Sequence, residues 1–155
     1  MKNLLLLIPL LLASFTQCIA TDSSSSQQIE EGSYILVVEG FDWGAAASKV
    51  ILPVSETISA VNGNNFEVAV ERSTDCAKLS AAEASGKLRV LYAYVSDEKG
   101  NRLAKGEHIS LVLYAAPFEQ IGSPIKYFPG NQKCSGNQWV DFRLTITDTK
   151  NDQVW

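Results

Sequence analysis

The chain has 155 residues and a mass of 16.9 kDa, enough for one domain with a hydrophobic core. Its composition, 46% hydrophobic and 19% charged, is that of an ordinary globular protein. The formal charge is −4, and the sequence has no cluster of Lys and Arg of the kind that binds phosphate backbones, which argues against a nucleic-acid-binding function.

The first 20 residues have the layout of a secretory signal peptide. Lys2 supplies the positive start, residues 4–12 are almost all apolar, and small residues at Cys18 and Ala20 fit a cleavage site after Ala20. The apolar run is shorter than the roughly 20 residues of a membrane-spanning helix. The alternative is a lipoprotein anchored through Cys18, but a bulky Gln17 precedes that cysteine. We therefore expect a secreted, extracellular protein with no membrane partner.

Residues 21–32 are rich in Ser and Gln and predict a flexible leader, because they offer too little apolar surface to offset the entropy of ordering. The folded domain is expected to occupy residues 33–155.

The domain pattern predicts about seven short strands, with alternating apolar and polar residues. The alternation is clearest in the last strand, where Phe142, Leu144 and Ile146 share one face. Residues 76–85 form the only helical pattern, and residues 117–134 predict a long loop. These features favour an all-β fold, an immunoglobulin-like antiparallel β-sandwich. The predicted strands are, in order, 33–39, 49–54, 57–61, 65–72, 87–95, 108–115 and 140–147, with a turn at 97–101 joining the fifth and sixth.

Two cysteines, Cys76 and Cys134, follow the signal peptide, and an extracellular compartment permits a disulfide between them. The alternatives are two free thiols or half of a metal site. Zinc would need more soft ligands than the chain offers, since His108 is the only histidine. We expect the disulfide and no metal or other cofactor.

The sequence holds no recognisable catalytic motif. The G-x-S-x-G pentapeptide of α/β-hydrolases is absent. Ser96 and Lys99 match S-x-x-K, but they fall in a predicted turn, where such residues are common. Nothing places His108 beside a serine and a carboxylate. We therefore do not expect an enzyme.

Aromatic residues are the candidates for binding. Phe41, Asp42 and Trp43 lie between Gly40 and Gly44, directly after the first predicted strand. The two rings fit three roles: closing one end of the core, contacting another domain or partner, or stacking on a ligand. Trp139, on the polar side of the last predicted strand, is a second candidate with the same alternatives.

Residues 34–44 (YILVVEGFDWG), followed by KVIL at 49–52, resemble the immunoglobulin-like N-terminal domain of certain secreted bacterial esterases. The resemblance continues through residues 93–101, 122–124, 139–142 and 145–147, and so covers nearly the whole mature chain. In those enzymes the domain precedes an α/β-hydrolase domain that carries the nucleophile. The resemblance implies a non-catalytic domain that supports the activity or assembly of the enzyme.

This sequence departs from the esterases in two ways. It ends at Trp155, where the hydrolase would begin, so no catalytic residue is carried over. It also contains the Cys76 and Cys134 pair, which is not a feature associated with the bacterial domains.

We expect a secreted, non-catalytic domain that binds an extracellular protein or carbohydrate, with Phe41, Trp43 and Trp139 as first contacts. The alternative is an accessory domain of an esterase, acting in trans on an α/β-hydrolase or left by truncation of the enzyme.

Overall fold

The computed structural model describes residues 32–130 and 133–155. The predicted signal peptide (1–20) and residues 21–31 of the predicted leader lie outside the described residues. No helix within these two ranges is long and apolar enough to cross a membrane.

The described residues form ten strands, one α-helical turn and two short 3-10 turns, at Gly63–Asn65 and Gln120–Gly122. The α-helical turn is α1 (Ala81–Ala84). The strands are β1 (Ile35–Phe41), β2 (Gly44–Ile58), β3 (Phe66–Ser73), β4 (Ser85–Leu88), β5 (Val90–Ser96), β6 (Gly106–Leu113), β7 (Ile125–Phe128), β8 (Gly136–Trp139), β9 (Asp141–Asp148) and β10 (Gln153–Val154).

Two four-stranded antiparallel sheets form the body of the domain. The first sheet has the order β1-β2-β6-β5 and the second has the order β10-β9-β3-β4, while β7 and β8 form a separate hairpin. Apolar side chains from both sheets meet in one core, among them Val50, Leu52, Val68, Leu111 and Ile146. The predicted immunoglobulin-like β-sandwich is therefore confirmed.

The central pair of the second sheet follows the alternation of the sequence. Val68 lies opposite Ile146 and Val70 lies opposite Leu144, and all four side chains are buried between the sheets. Burying one face of each strand fixes this register, because a slip of one residue would move these apolar side chains to the solvent. The predicted strands at 65–72 and 140–147 are confirmed with shifts of one residue.

Two strand predictions were wrong. Residues 49–54 and 57–61 were predicted as separate strands, whereas β2 runs unbroken from Gly44 to Ile58, with irregular pairing to β6 between Pro53 and Ile58. Residues 87–95 were predicted as one strand, but the chain changes sheet at Arg89, so β4 belongs to the second sheet and β5 to the first. An apolar run remains continuous through such a crossing because both of its halves face the same core.

The helix and loop predictions were also too coarse. The helical pattern at 76–85 reduces to the single turn α1, and the predicted loop at 117–134 contains a 3-10 turn and the strand β7.

The turn at 97–101 does join β5 to β6, as predicted. The Asp97 carboxylate accepts hydrogen bonds from the backbone N–H groups of Lys99 and Asn101 and from the Asn101 side chain, and the hydrogen bonds from Asn101 lower the pKa of Asp97.

Trp155 closes one end of the core. Its backbone exchanges two hydrogen bonds with Ile146, its indole N–H donates to the Pro53 carbonyl at 3.0 Å, and its ring lies 6.4 Å from that of Phe66. Trp155 thus links the two sheets: its backbone binds Ile146 of β9, and its indole binds Pro53 of β2. Sequence periodicity did not identify this role, because Trp155 follows a two-residue strand with no alternation to interpret.

The predicted disulfide between Cys76 and Cys134 is confirmed, with 5.1 Å between the two Cα atoms. Cys76 follows β3, and Cys134 lies shortly before β8, so the bond ties the β7–β8 hairpin to the second sheet.

Replacing both cysteines (Cys76→Ser with Cys134→Ser) should lower the free energy of unfolding by up to about 4 kcal/mol, because the unfolded chain regains the freedom of a 58-residue loop. Urea titration of the variant and the oxidised parent measures this difference. If the variant and the parent unfolded with the same urea midpoint and the same slope, the prediction would be contradicted.

Gly106→Ala should destabilise the domain by about 1–3 kcal/mol, because the added Cβ would lie 2.5 Å from the Ser96 carbonyl oxygen. Gly40→Ala is the matched control, since its Cβ would meet nothing within 4 Å. Thermal unfolding should separate the two variants by several degrees. Equal melting temperatures would contradict the prediction, because they would show that β5 and β6 move apart to accept the added Cβ without loss of stability.

Candidate functional site: an aromatic groove at one end of the sandwich

The tip of the β1–β2 hairpin carries two aromatic rings on the outside of the domain. Phe41 pairs with Gly44, so Asp42 and Trp43 form the turn, and Gly44 adopts a φ of +132° that other residues rarely tolerate. The rings of Phe41 and Trp43 are stacked, with centroids 4.8 Å apart and planes 4° from parallel. Their exposed fractions are 36% and 38%. The interpretation that these rings close the core is therefore wrong: they contact each other at the surface, and Asp42 is exposed beside them.

The β7–β8 hairpin presents a second aromatic pair. Ile125 pairs with Trp139 and Tyr127 pairs with Asn137, and because directly paired residues share a face, these four side chains lie on one side of the hairpin. Tyr127 is 66% exposed and Trp139 is 69% exposed. Trp139 thus belongs to β8 and not to the last strand, and of its alternatives the structure excludes a role in the core.

The opposite side of this hairpin faces the domain. Phe128 lies on that side and is 1% exposed, so it anchors the end of β7. Lys126 also lies on that side and forms an ion pair with Glu83 of α1. Together with the disulfide, these contacts hold a hairpin that, within the described part of the chain, shares no backbone ladder with either sheet.

A groove separates the two hairpins. Trp43 of the β1–β2 hairpin and Tyr127 and Asn137 of the β7–β8 hairpin all line it. The segment between β6 and β7 contributes Gln120 and Ser123, and Arg72 also lines the groove. We call this surface the aromatic groove. It brings Trp43, which the sequence singled out, together with the hairpin that bears Trp139.

Arg72 occupies the last inward-facing position of β3, after Phe66, Val68 and Val70. It is 5% exposed, and its Nη1 donates hydrogen bonds to the backbone carbonyls of Glu83 at 3.4 Å and Gln120 at 2.9 Å. Its Nε has no partner among the described residues. Burial lowers the pKa of the guanidinium, and the nearby carboxylate of Glu83 opposes that shift.

Glu83 connects α1 to both the strand and the hairpin. Its carboxylate binds the Lys126 ammonium and accepts hydrogen bonds from the backbone N–H and hydroxyl of Ser80 at 3.1 and 2.9 Å. The hydrogen bond from Lys126, followed by those from Ser80, lowers the pKa of Glu83 from 4.5 to about 2. The carboxylate is therefore ionised across the physiological pH range.

Three other candidates for chemistry, Ser96, Lys99 and His108, line a common pocket beside β5 and β6, but no side-chain hydrogen bond joins them among the described residues. His108 is partly buried in β6, opposite Pro53 on one side and Ser96 on the other. The Ser96 hydroxyl is fully buried and accepts a hydrogen bond from Ser110 at 2.9 Å, so it is not paired with Lys99. Among the described residues, no group of three His, Cys, Asp or Glu side chains is arranged to hold a metal ion.

Sequence reasoning missed Arg72 and Tyr127. Arg72 lies on the same side of β3 as the buried residues Phe66, Val68 and Val70. A charged residue on the apolar side of a predicted strand is unusual, and this could have identified Arg72 from the sequence. Tyr127 lay inside a segment predicted to be a loop. No local pattern indicated that it would line a groove together with Trp43.

Comparisons with known proteins agree on the type of domain. The profile of one protein family, the esterase Ig-like N-terminal domain, matches residues 33–154. A solved crystal structure of a thermostable esterase superposes with a TM-score of 0.57 at 15% sequence identity, over 75% of this chain and 29% of the esterase chain. That likeness concerns the fold, and this chain corresponds to less than a third of the esterase. No curated protein matches the sequence.

Glu83→Gln should destabilise the domain at neutral pH, because it removes the charge that binds Lys126. A carboxyl whose pKa is lowered on folding stabilises the fold above its unfolded pKa, so the difference between parent and variant should vanish as the pH falls from 4.5 to about 2.

Urea titrations across this pH range provide the measurement. Glu67→Gln is the matched control, because it removes the solvent-exposed ion pair with Lys87 and should change stability little. A difference for Glu83→Gln that persisted below pH ~2 would rule out the ionic explanation.

Proposed function

Because the chain belongs to the family of esterase Ig-like N-terminal domains, we propose that it acts by binding and not by catalysis, and that its partner is the α/β-hydrolase part of an esterase. The observation that carries this proposal is the Phe41–Trp43 stack, two large rings kept at the surface by a tight hairpin. Burying such rings against a partner yields more free energy than burying any other common side chains of an interface.

The absence of catalysis is supported by the positions of the candidate groups. The Ser96 hydroxyl is buried and bound to Ser110, and His108 makes no side-chain hydrogen bond to a serine or a carboxylate among the described residues. A nucleophilic serine needs an adjacent base and access to the substrate. The chemistry of the proposed assembly therefore resides in the hydrolase, and this domain supplies an interface.

The rigidity of the tip supports a docking role. Phe41 is the last residue of β1 and lies directly opposite Gly44 in the ladder, so the rings are presented by regular backbone. They also stack on each other, which limits the rotamer entropy that binding would cost. A pre-organised aromatic pair of this kind is suited to insertion into an apolar pocket of a partner.

The proposed location is extracellular. The predicted signal peptide motivates it, and the Cys76–Cys134 disulfide is consistent with an oxidising compartment.

Docking is tested by immobilising the oxidised full chain and passing the secreted fraction of the source organism over it. A fluorophosphonate probe, which labels active serine hydrolases, should label a retained protein that mass spectrometry identifies as an α/β-hydrolase. Phe41→Ala and Trp43→Ala should each reduce its retention at least roughly tenfold.

Tyr92→Ala is the matched control, since Tyr92 is a similarly exposed aromatic on β5 and should leave retention unchanged. Thermal unfolding checks that all variants are folded. Retention of no serine hydrolase, or equal retention by the Trp43 and Tyr92 variants, would overturn the proposal.

A further inference from the structure

The aromatic groove contains a buried cation, Arg72, that forms no ion pair with any of the described residues. Both hydrogen bonds of the Arg72 guanidinium go from Nη1 to neutral carbonyls, and Nε has no acceptor among the described residues. No carboxylate forms an ion pair with Arg72 there, although its side chain is almost wholly buried. Buried charges and buried donors of this kind are normally compensated, because leaving them unpaired costs free energy.

The Glu83 carboxylate acts on Arg72 at a distance, opposing the lowering of its pKa, but forms no ion pair with it. Lys126 and Glu83 neutralise each other in a direct ion pair. Glu119 lines the groove but is exposed to solvent, where its charge is screened. The guanidinium therefore contributes an unneutralised positive charge to the groove.

The groove walls define the shape of a ligand that would supply the missing anion. Trp43 and Tyr127 both line the groove and both expose aromatic surface. Asn137 and Gln120 line it as well, and their side-chain amides are neutral donors and acceptors of the kind that hydrogen-bond hydroxyl groups. A ring with one apolar face, several hydroxyls and one carboxylate matches all three features.

We infer that the aromatic groove binds an acidic sugar, a uronic acid residue of a polysaccharide, with its carboxylate at Arg72 and its ring against Trp43 and Tyr127. This activity goes beyond docking to a hydrolase, because it requires only the residues of this domain. It would place an esterase next to an acidic polysaccharide.

The experiment titrates the oxidised full chain with trimers of galacturonate, glucuronate and mannuronate, followed by tryptophan fluorescence and calorimetry. At least one acidic trimer should bind. Its methyl ester, which lacks the charge, should bind at least roughly tenfold more weakly, since hydrogen bonds to charged groups are the stronger kind. Binding of none of the three acids, or equal binding of acid and ester, would overturn the inference.

Variants locate the site. Tyr127→Ala should weaken binding at least roughly tenfold, whereas replacing Tyr92, an exposed tyrosine of β5 outside the groove, with Ala should not change it. Arg72→Lys keeps the charge but loses the guanidinium fork, and should weaken binding of the acid more than binding of the ester.

The ligand comparison uses the unmodified protein, so it decides the question even if the Arg72 variant fails to fold. The titration contains no hydrolase, so its result is independent of whether the docking proposal holds. If no acidic sugar bound but folded Arg72→Lys lost the hydrolase, the groove would belong to a carboxylate of the partner protein, and the sugar assignment would be wrong.

Discussion

The end of the sandwich that carries the aromatic groove depends on one buried guanidinium. Arg72 is the last inward-facing residue of β3, a position where an apolar side chain would be expected. Its guanidinium instead donates hydrogen bonds to the backbone carbonyls of Glu83 and Gln120. Those carbonyls belong to α1 and to the 3-10 turn before β7. One side chain thereby fixes two irregular segments against a regular strand, and both segments position the groove.

The β7–β8 hairpin illustrates how structure is held outside the hydrogen-bonded ladders. It makes no backbone ladder with either sheet, and its position is set by the disulfide, the Lys126–Glu83 ion pair and the burial of Phe128. These three contacts fix the position of the hairpin, as backbone hydrogen bonds fix the positions of β3 and β9 relative to each other. The hairpin can therefore present Tyr127 and Trp139 to solvent without exposing the core.

Docking and sugar binding would use neighbouring parts of the same end of the domain. The Phe41–Trp43 stack projects from the β1–β2 turn, while the groove runs between Trp43 and Tyr127. Trp43 belongs to both surfaces. An esterase held at the tip would thus lie beside whatever occupies the groove, which gives a physical link between an accessory domain and the placement of an enzyme.

The sequence alone determined the fold class, because alternation in strands such as β3 and β9 is a local consequence of burying one face. It also favoured the disulfide, because Cys76 and Cys134 are the two cysteines that follow the predicted signal peptide. It also indicated that Phe41, Trp43 and Trp139 were candidates for binding. Only the tertiary structure decided that the chain changes sheet at Arg89, that Trp155 closes the core, and that Trp43 and Tyr127 line one groove. These outcomes depend on contacts between residues far apart in the chain, which periodicity within one segment does not encode.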